Sequence, residues 1–179
     1  ILIGVCIVYF SVKYHRTKKS GAKSYVLDNH KLEFLWTVIP FVFMMFIFAW
    51  GLVVYQDLRR VGPDPLEVNV IGRQWLWHFE YANGRKTMNE LYVPKDRPVK
   101  LIMTSEDVIH SFFLPTFRLK QDTVPGMYTY IAFQATIAGE HPIYCTEFCG
   151  TGHSDMLGKA FVLEPNDFDQ WYATGKASI

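Results

Sequence analysis

Four side chains that bind soft metals fall within one twelve-residue run, CTEFCGTGHSDM at positions 145–156. They are Cys145, Cys149, His153 and Met156, spaced 4, 4 and 3 apart. Three chemistries use some of them. A disulfide would pair Cys145 with Cys149 and suit an oxidising compartment, but it leaves His153 and Met156 unexplained. Zinc would take both thiolates and His153, yet it prefers a fourth His, Cys or carboxylate and gains little from a thioether. Copper combines thiolate, imidazole and a weak axial methionine in one shell. Copper is the reading that uses the whole loop, with Gly150 and Gly152 permitting tight backbone turns.

The loop is one imidazole short of a complete set. Of the six histidines, His110 in SEDVIHSFFLP ends an apolar strand region just before Pro115. A sandwich that brings an earlier strand end beside a late loop is the blue-copper arrangement, so His110 is the expected partner and His141 and His78 are weaker candidates. His15 and His30 fall on the other side of the membrane inferred below. A mononuclear blue-copper site needs one cysteine, and this loop has two. A second thiolate can bridge, so that two thiolates, two imidazoles, Met156 and a backbone carbonyl give each of two coppers a near-complete shell. Without an open position such a site moves electrons and binds no substrate.

The elements that must hold these residues differ in texture along the chain. From Phe34 to Tyr55 run 22 residues without a charge, enough for a helix to span a bilayer of about 30 Å. Pro40, early in that run, is tolerable in a membrane helix. The opening ILIGVCIVYFSV has 12 uncharged residues before Lys13 and is read as the end of a first span. Residues 13–33 carry six basic against two acidic side chains, whereas residues 61–179 carry 10 against 14. Positive loops stay inside, so the hairpin loop is expected to be cytoplasmic and everything after Tyr55 outside. Beyond Gly62-Pro63 the pattern becomes period two: Trp75, Trp77, Phe79 and Tyr81 alternate with Leu76, His78 and Glu80. Val99, Leu101 and Met103 alternate likewise, as do Tyr128, Tyr130 and Ala132, and turn residues Asn83-Gly84, Pro94, Pro125-Gly126 and Gly139 punctuate the runs. The expected architecture is a two-helix transmembrane hairpin (residues 1–62, its first helix truncated) followed by an all-β cupredoxin-like Greek-key sandwich or barrel, antiparallel, over residues 63–165. A C-terminal tail (166–179) is expected to start a helix capped by Asn166.

Composition agrees with two environments. Half the chain is apolar and 20% is charged, which excludes a disordered protein, and a net charge of +1 excludes a polybasic nucleic-acid binder. Three cysteines cannot staple a disulfide mini-domain.

VIHSFFLP, LKQDTVPGM and CTEFCGTGHSDM, preceded by two apolar segments, resemble subunit II of the haem–copper cytochrome c oxidases over essentially the whole chain. The resemblance implies a binuclear copper centre of the CuA type. It implies that Cys145 and Cys149 bridge both coppers, that His110 and Met156 serve one, and that His153 and the main-chain carbonyl of Glu147 serve the other. It implies that Trp75 of QWLWHFEY is where electrons arrive, and that the Glu147 side chain helps hold a magnesium or manganese ion against subunit I. The expected partners are the haem-bearing subunit I, subunit III, membrane lipid and a c-type cytochrome donor. The expected setting is a bacterial inner membrane with the β domain in the periplasm. Quinol-oxidising relatives lose the copper ligands; this sequence keeps them. It departs at Met127, where the family often has Arg, and at Leu76, which separates the two tryptophans. Two other functions fit the same residues: the copper subunit of a nitric-oxide-reducing haem–copper enzyme, and a membrane-tethered copper-carrying cupredoxin.

Overall fold

A computed structural model describes residues 1–17 and 28–175. The loop between the two expected spans lies largely outside the described residues, as do the last four residues of the expected tail. The chain divides into two compact parts, Ile1–Trp50 and Gly51–Ile179.

Helix α1 (Leu2–Lys13) has 12 residues, about 18 Å of helix, which is too short to cross a bilayer by itself. Helix α2 (His30–Leu58) has 29 residues, about 44 Å, with its charged residues Lys31, Glu33 and Asp57 confined to the two ends. No residue of α2 is buried within the protein. A helix that is apolar all round and covered by nothing in water has no stable place there; lipid supplies the cover. Pro40 sits inside α2 without ending it. Among the described residues α2 is thus the one helix long and apolar enough to span, and α1 is a shorter apolar helix where a truncated first span was expected.

The second part is a sandwich of two five-stranded sheets. The strands are β1 (Leu66–Arg73), β2 (Leu76–Tyr81), β3 (Lys86–Met88), β4 (Glu90–Pro94), β5 (Pro98–Ser105), β6 (His110–Leu114), β7 (Leu119–Thr123), β8 (Thr129–Gln134), β9 (Gly139–Cys145) and β10 (Leu157–Leu163). One sheet runs β3-β2-β1-β5-β8 and the other β4-β10-β9-β6-β7. The alternation seen in sequence is the burial pattern from Trp77 on: Trp77, Phe79 and Tyr81 of β2 and Val99, Leu101 and Met103 of β5 point into the core, whereas Trp75, expected on the same face, precedes β2 and is exposed. Trp77 and Phe79 meet Phe112 of the opposite sheet edge to face, with ring centroids 5.5 and 6.5 Å apart. These large rings fill the space between the sheets.

Three more expectations are corrected. The sandwich is mixed, not antiparallel throughout: β1 lies parallel to β5 and β10 parallel to β4. Each parallel pair is separated in sequence by several other strands, the long connection that parallel pairing requires. On β8 the buried residue is Ile131, not a member of the Tyr128, Tyr130, Ala132 set; Tyr128 precedes the strand and is exposed. Helix α3 (Pro165–Thr174) is capped at Glu164 with Pro165 in its first turn, so Asn166 lies inside it. Its Phe168 and Trp171 are buried, and Trp171 stacks on Tyr92 with centroids 4.3 Å apart. The start of the tail thus packs onto the sandwich.

Candidate metal centre

Strand pairing solves the problem of joining two distant segments. Strand β6 lies antiparallel to β9, with Phe112 opposite Cys145. That register puts His110, at the start of β6, beside the end of β9 where the loop begins. The Thr146 N–H donates to the Ser111 carbonyl at 3.0 Å and extends the pairing one step into the loop. From there the chain turns through residues 146–156 and re-enters the sheet as β10, so both ends of the loop are anchored in adjacent strands.

The donors converge. Cys145 Sγ and Cys149 Sγ are 3.8 Å apart, against about 2.05 Å in a disulfide, and both cysteines are free. His110 Nδ1 lies 4.0 Å from Cys145 Sγ, and His153 Nδ1 lies 3.5 Å from Cys149 Sγ. Met156 Sδ lies 3.8 Å from Cys149 Sγ, and the Glu147 carbonyl oxygen 3.3 Å from Cys145 Sγ. His110, Cys145 and Cys149 form a compact group able to hold a metal, and all three are buried. Donors sharing one ion at bonds of about 2.0–2.3 Å in a tetrahedral shell stand about 3.3–3.8 Å apart. The spacings here are close to that, and the donors are thiolate, imidazole and thioether, the set that suits copper.

Electrostatics favours a cation at the thiols. Burial pushes the Cys145 thiol up, but the contacts with His110 and with the backbone at Ser111 outweigh it and bring it down to about 6. Burial and then the adjacent Cys145 charge push Cys149 up to about 12. Protein alone thus leaves room for one negative charge on the pair. A bound metal ion, which deprotonates a coordinating thiol outright, allows the second.

Trp75 covers the loop from outside. It sits with Gln74 in the two-residue link between β1 and β2, 40% exposed. Its Nε1–H donates to the Cys149 carbonyl at 3.3 Å. Its ring lies against the glycines of the loop: a Cβ on Gly152 would fall 2.5 Å from Trp75 Cδ2, so only glycine admits the ring at this distance.

Of the weaker histidine candidates, His141 points its Nε2 at the Ile137 carbonyl, 3.1 Å away, and packs on Phe117. His78 lies on β2, in the sheet opposite the one that anchors the loop. The Glu147 side chain is exposed. Two residues at the site escaped the reading of the sequence. Asp107 Oδ1 accepts from His110 Nε2 at 2.8 Å, and the Gln74 side-chain amide donates to the Cys149 carbonyl at 2.7 Å. The signal for Asp107 was an acid three residues before the histidine in SEDVIH; a glutamine beside Trp75 carried none.

Known proteins similar to this chain fall in one family. Residues 1–54 match the family "Cytochrome C oxidase subunit II, transmembrane domain", and residues 83–160 match "Cytochrome C oxidase subunit II, periplasmic domain". The chain is 28% identical to cytochrome c oxidase subunit 2 of Synechocystis sp., over 97% of this chain and 67% of that protein. It is 30% identical to the alternative cytochrome c oxidase subunit 2 of Bradyrhizobium diazoefficiens, over 92% and 70%. With cytochrome c oxidase subunit 2 of Thermostichus vulcanus it shares 39% identity over 71% of this chain, but only 38% of that longer protein. Among solved structures, the periplasmic domain of subunit II of cytochrome oxidase of Bradyrhizobium japonicum superposes with a TM-score of 0.61. That match has 29% identity over 64% of this chain and 96% of the other. Subunit II captured in a mixed disulfide with a thioredoxin-like protein superposes with a TM-score of 0.58 at 28% identity, over 65% and 94%. A membrane-anchoring apolar helix, a sandwich of this topology and a buried His-Cys-Cys group in one chain have a common explanation: the chain belongs to the cytochrome c oxidase subunit II family.

Proposed function

We propose that this chain is the electron-transfer subunit of a haem–copper oxidase. It takes one electron at a time from a c-type cytochrome and delivers it to a haem in subunit I, where oxygen is reduced to water. The observation that carries the reading is the convergence of Cys145, Cys149, His110, His153, Met156 and the Glu147 carbonyl within 3.3–4.0 Å contacts. Two coppers bridged by both thiolates would supply a one-electron carrier whose charge is shared over two ions.

The chain's own residues set the conditions for that chemistry. Cys145 and Cys149 supply the negative charge, and their burial keeps water from the bridge. His110 with Met156, and His153 with the Glu147 carbonyl, would complete the two shells. Trp75 is the exposed face of the site and the place for a donor to touch. The Glu147 side chain, exposed on the loop, would reach a magnesium or manganese ion against subunit I. Residues 1–62 would form a two-helix hairpin with a cytoplasmic loop in a bacterial inner membrane, with subunits I and III alongside. Residues 63–165 would form a cupredoxin-like domain in the periplasm, followed by the tail 166–179.

The relative held by a thioredoxin-like protein supports one further step in this chain's life. Before copper arrives, a dithiol protein of that class would reduce a Cys145–Cys149 disulfide. Its own pair becomes the disulfide, and two thiols remain here.

Copper loading tests the proposal. The full chain in detergent should bind two coppers, and its spin-resonance spectrum should couple one unpaired electron to both nuclei. One copper per chain, coupling to a single nucleus, or zinc as the native metal would overturn it.

A further inference from the structure

We propose that Gln74 is a positioning residue that ties together the two ligand-bearing segments of the site. The inference rests on the copper reading above. Gln74 belongs to neither segment; it sits in the link between β1 and β2. Its backbone N–H donates to Asp107 Oδ2 at 2.7 Å, while the other oxygen of that carboxylate accepts from His110 Nε2 at 2.8 Å. Its side-chain amide donates to the main-chain carbonyl of Cys149 at 2.7 Å. One residue thus reaches the histidine segment through a carboxylate and the cysteine loop directly.

The second contact matters because of where it lands. The Cys149 carbonyl fixes the peptide that leads into Gly150, and with it the direction in which the Cys149 side chain leaves the backbone. Gly150 has a φ of +116°, which side chains rarely adopt, and a Cβ there would stand 3.0 Å from Gln74 Nε2. The loop turns in a way that makes room for this amide. A glutamine that merely decorated a hairpin would need neither the second hydrogen bond nor the glycine opposite it. Groups that orient metal ligands from outside the shell commonly carry tenfold or more in metal affinity.

The test uses the full chain in detergent as wild type, Gln74→Leu and Gln74→Asn. Leucine keeps the side-chain bulk and the backbone N–H to Asp107 but removes the amide donor. Asparagine keeps the amide one methylene short of the carbonyl. Three quantities are read: the thermal midpoint of the metal-free chain, copper retention against a chelator, and the spin-resonance pattern of the loaded chain. Both variants should keep the metal-free midpoint, lose copper about tenfold more readily and shift the copper coupling pattern. Retention and pattern equal to wild type would overturn the proposal. So would a loss of retention matched by a fall in the metal-free midpoint, because Gln74 would then be stabilising the fold alone. Wild type that takes up no copper would overturn the copper reading itself, an outcome distinct from either.

Discussion

Asp107 holds His110 by the nitrogen that faces away from the thiols: Oδ1 to Nε2 is 2.8 Å, and the opposite nitrogen, Nδ1, looks toward Cys145 Sγ. A carboxylate on Nε2 holds a proton there and makes Nδ1 the nitrogen that a metal would take. His110 is fully buried, so its tautomer is set by this partner and not by water.

The same pair makes a prediction for acid. Burial pushes the Asp107 carboxyl up, but the Gln74 N–H, His110 and the Val108 N–H outweigh it and hold it down at about 2, from an ordinary 3.8. A depressed carboxylate adds stability above its unfolded value and loses it as pH falls toward its folded value. Asp107 is partly exposed and water screens its charge, so it should contribute only about 1 kcal/mol above about pH 4, fading toward pH 2. Urea unfolding of metal-free wild type and Asp107→Asn checks this: the gap between them should close between pH 4 and 2. A gap independent of pH would mean that the carboxylate's charge is not involved. In the loaded chain Asp107→Asn should also weaken copper retention about tenfold.

Gly72 of β1 is a packing prediction. A Cβ there would lie 2.9 Å from His110 Cδ2 and 3.0 Å from Thr123 Oγ1. Gly72→Ala must displace the imidazole or the strand, and overpacking of this kind costs about 1–3 kcal/mol. Chemical unfolding should show that loss, and copper uptake should fall with it. A stable variant with normal uptake would show that His110 has slack.

Trp75→Phe keeps an apolar ring over Gly152 and removes the Nε1–H bonded to the Cys149 carbonyl. Copper content and reduction by a small artificial reductant should survive, while transfer from a protein donor should fall sharply. Equal falls with both reductants would reduce Trp75 to a packing role.

Met156 is fully buried with its sulfur 3.8 Å from Cys149 Sγ. Met156→Leu nearly conserves volume and should cost less than about 1.5 kcal/mol. A weak axial ligand tunes potential more than it holds metal. Copper should therefore remain while its reduction potential rises, because a donor to the oxidised state is gone. Redox titration of the loaded chain checks it, and an unchanged potential would remove Met156 from the ligand set.

Much of this protein is written locally. A 22-residue uncharged run has one stable solvent, and period-two alternation in QWLWHFEY has one stable partner, a sheet with a buried face. Ligand spacing in CTEFCGTGHSDM is likewise local, because four donors within twelve residues can meet wherever the loop is held at both ends. What the sequence could not decide depends on partners far along the chain. The parallel pairing of β1 with β5 depends on which strands are neighbours, and alternation is the same for either direction. The burial of Ile131 over its neighbours on β8 depends on which face meets the other sheet. Asn166 was a plausible cap by residue type, but Pro165 ahead of it is already helical, so the cap fell to Glu164. At the site, His110 was nameable from its strand end, whereas the roles of Asp107 and Gln74 were not. A hydrogen bond of 2.7–2.8 Å joins groups that periodicity cannot see, and only the register of β6 on β9 and the turn between β1 and β2 brought them within reach.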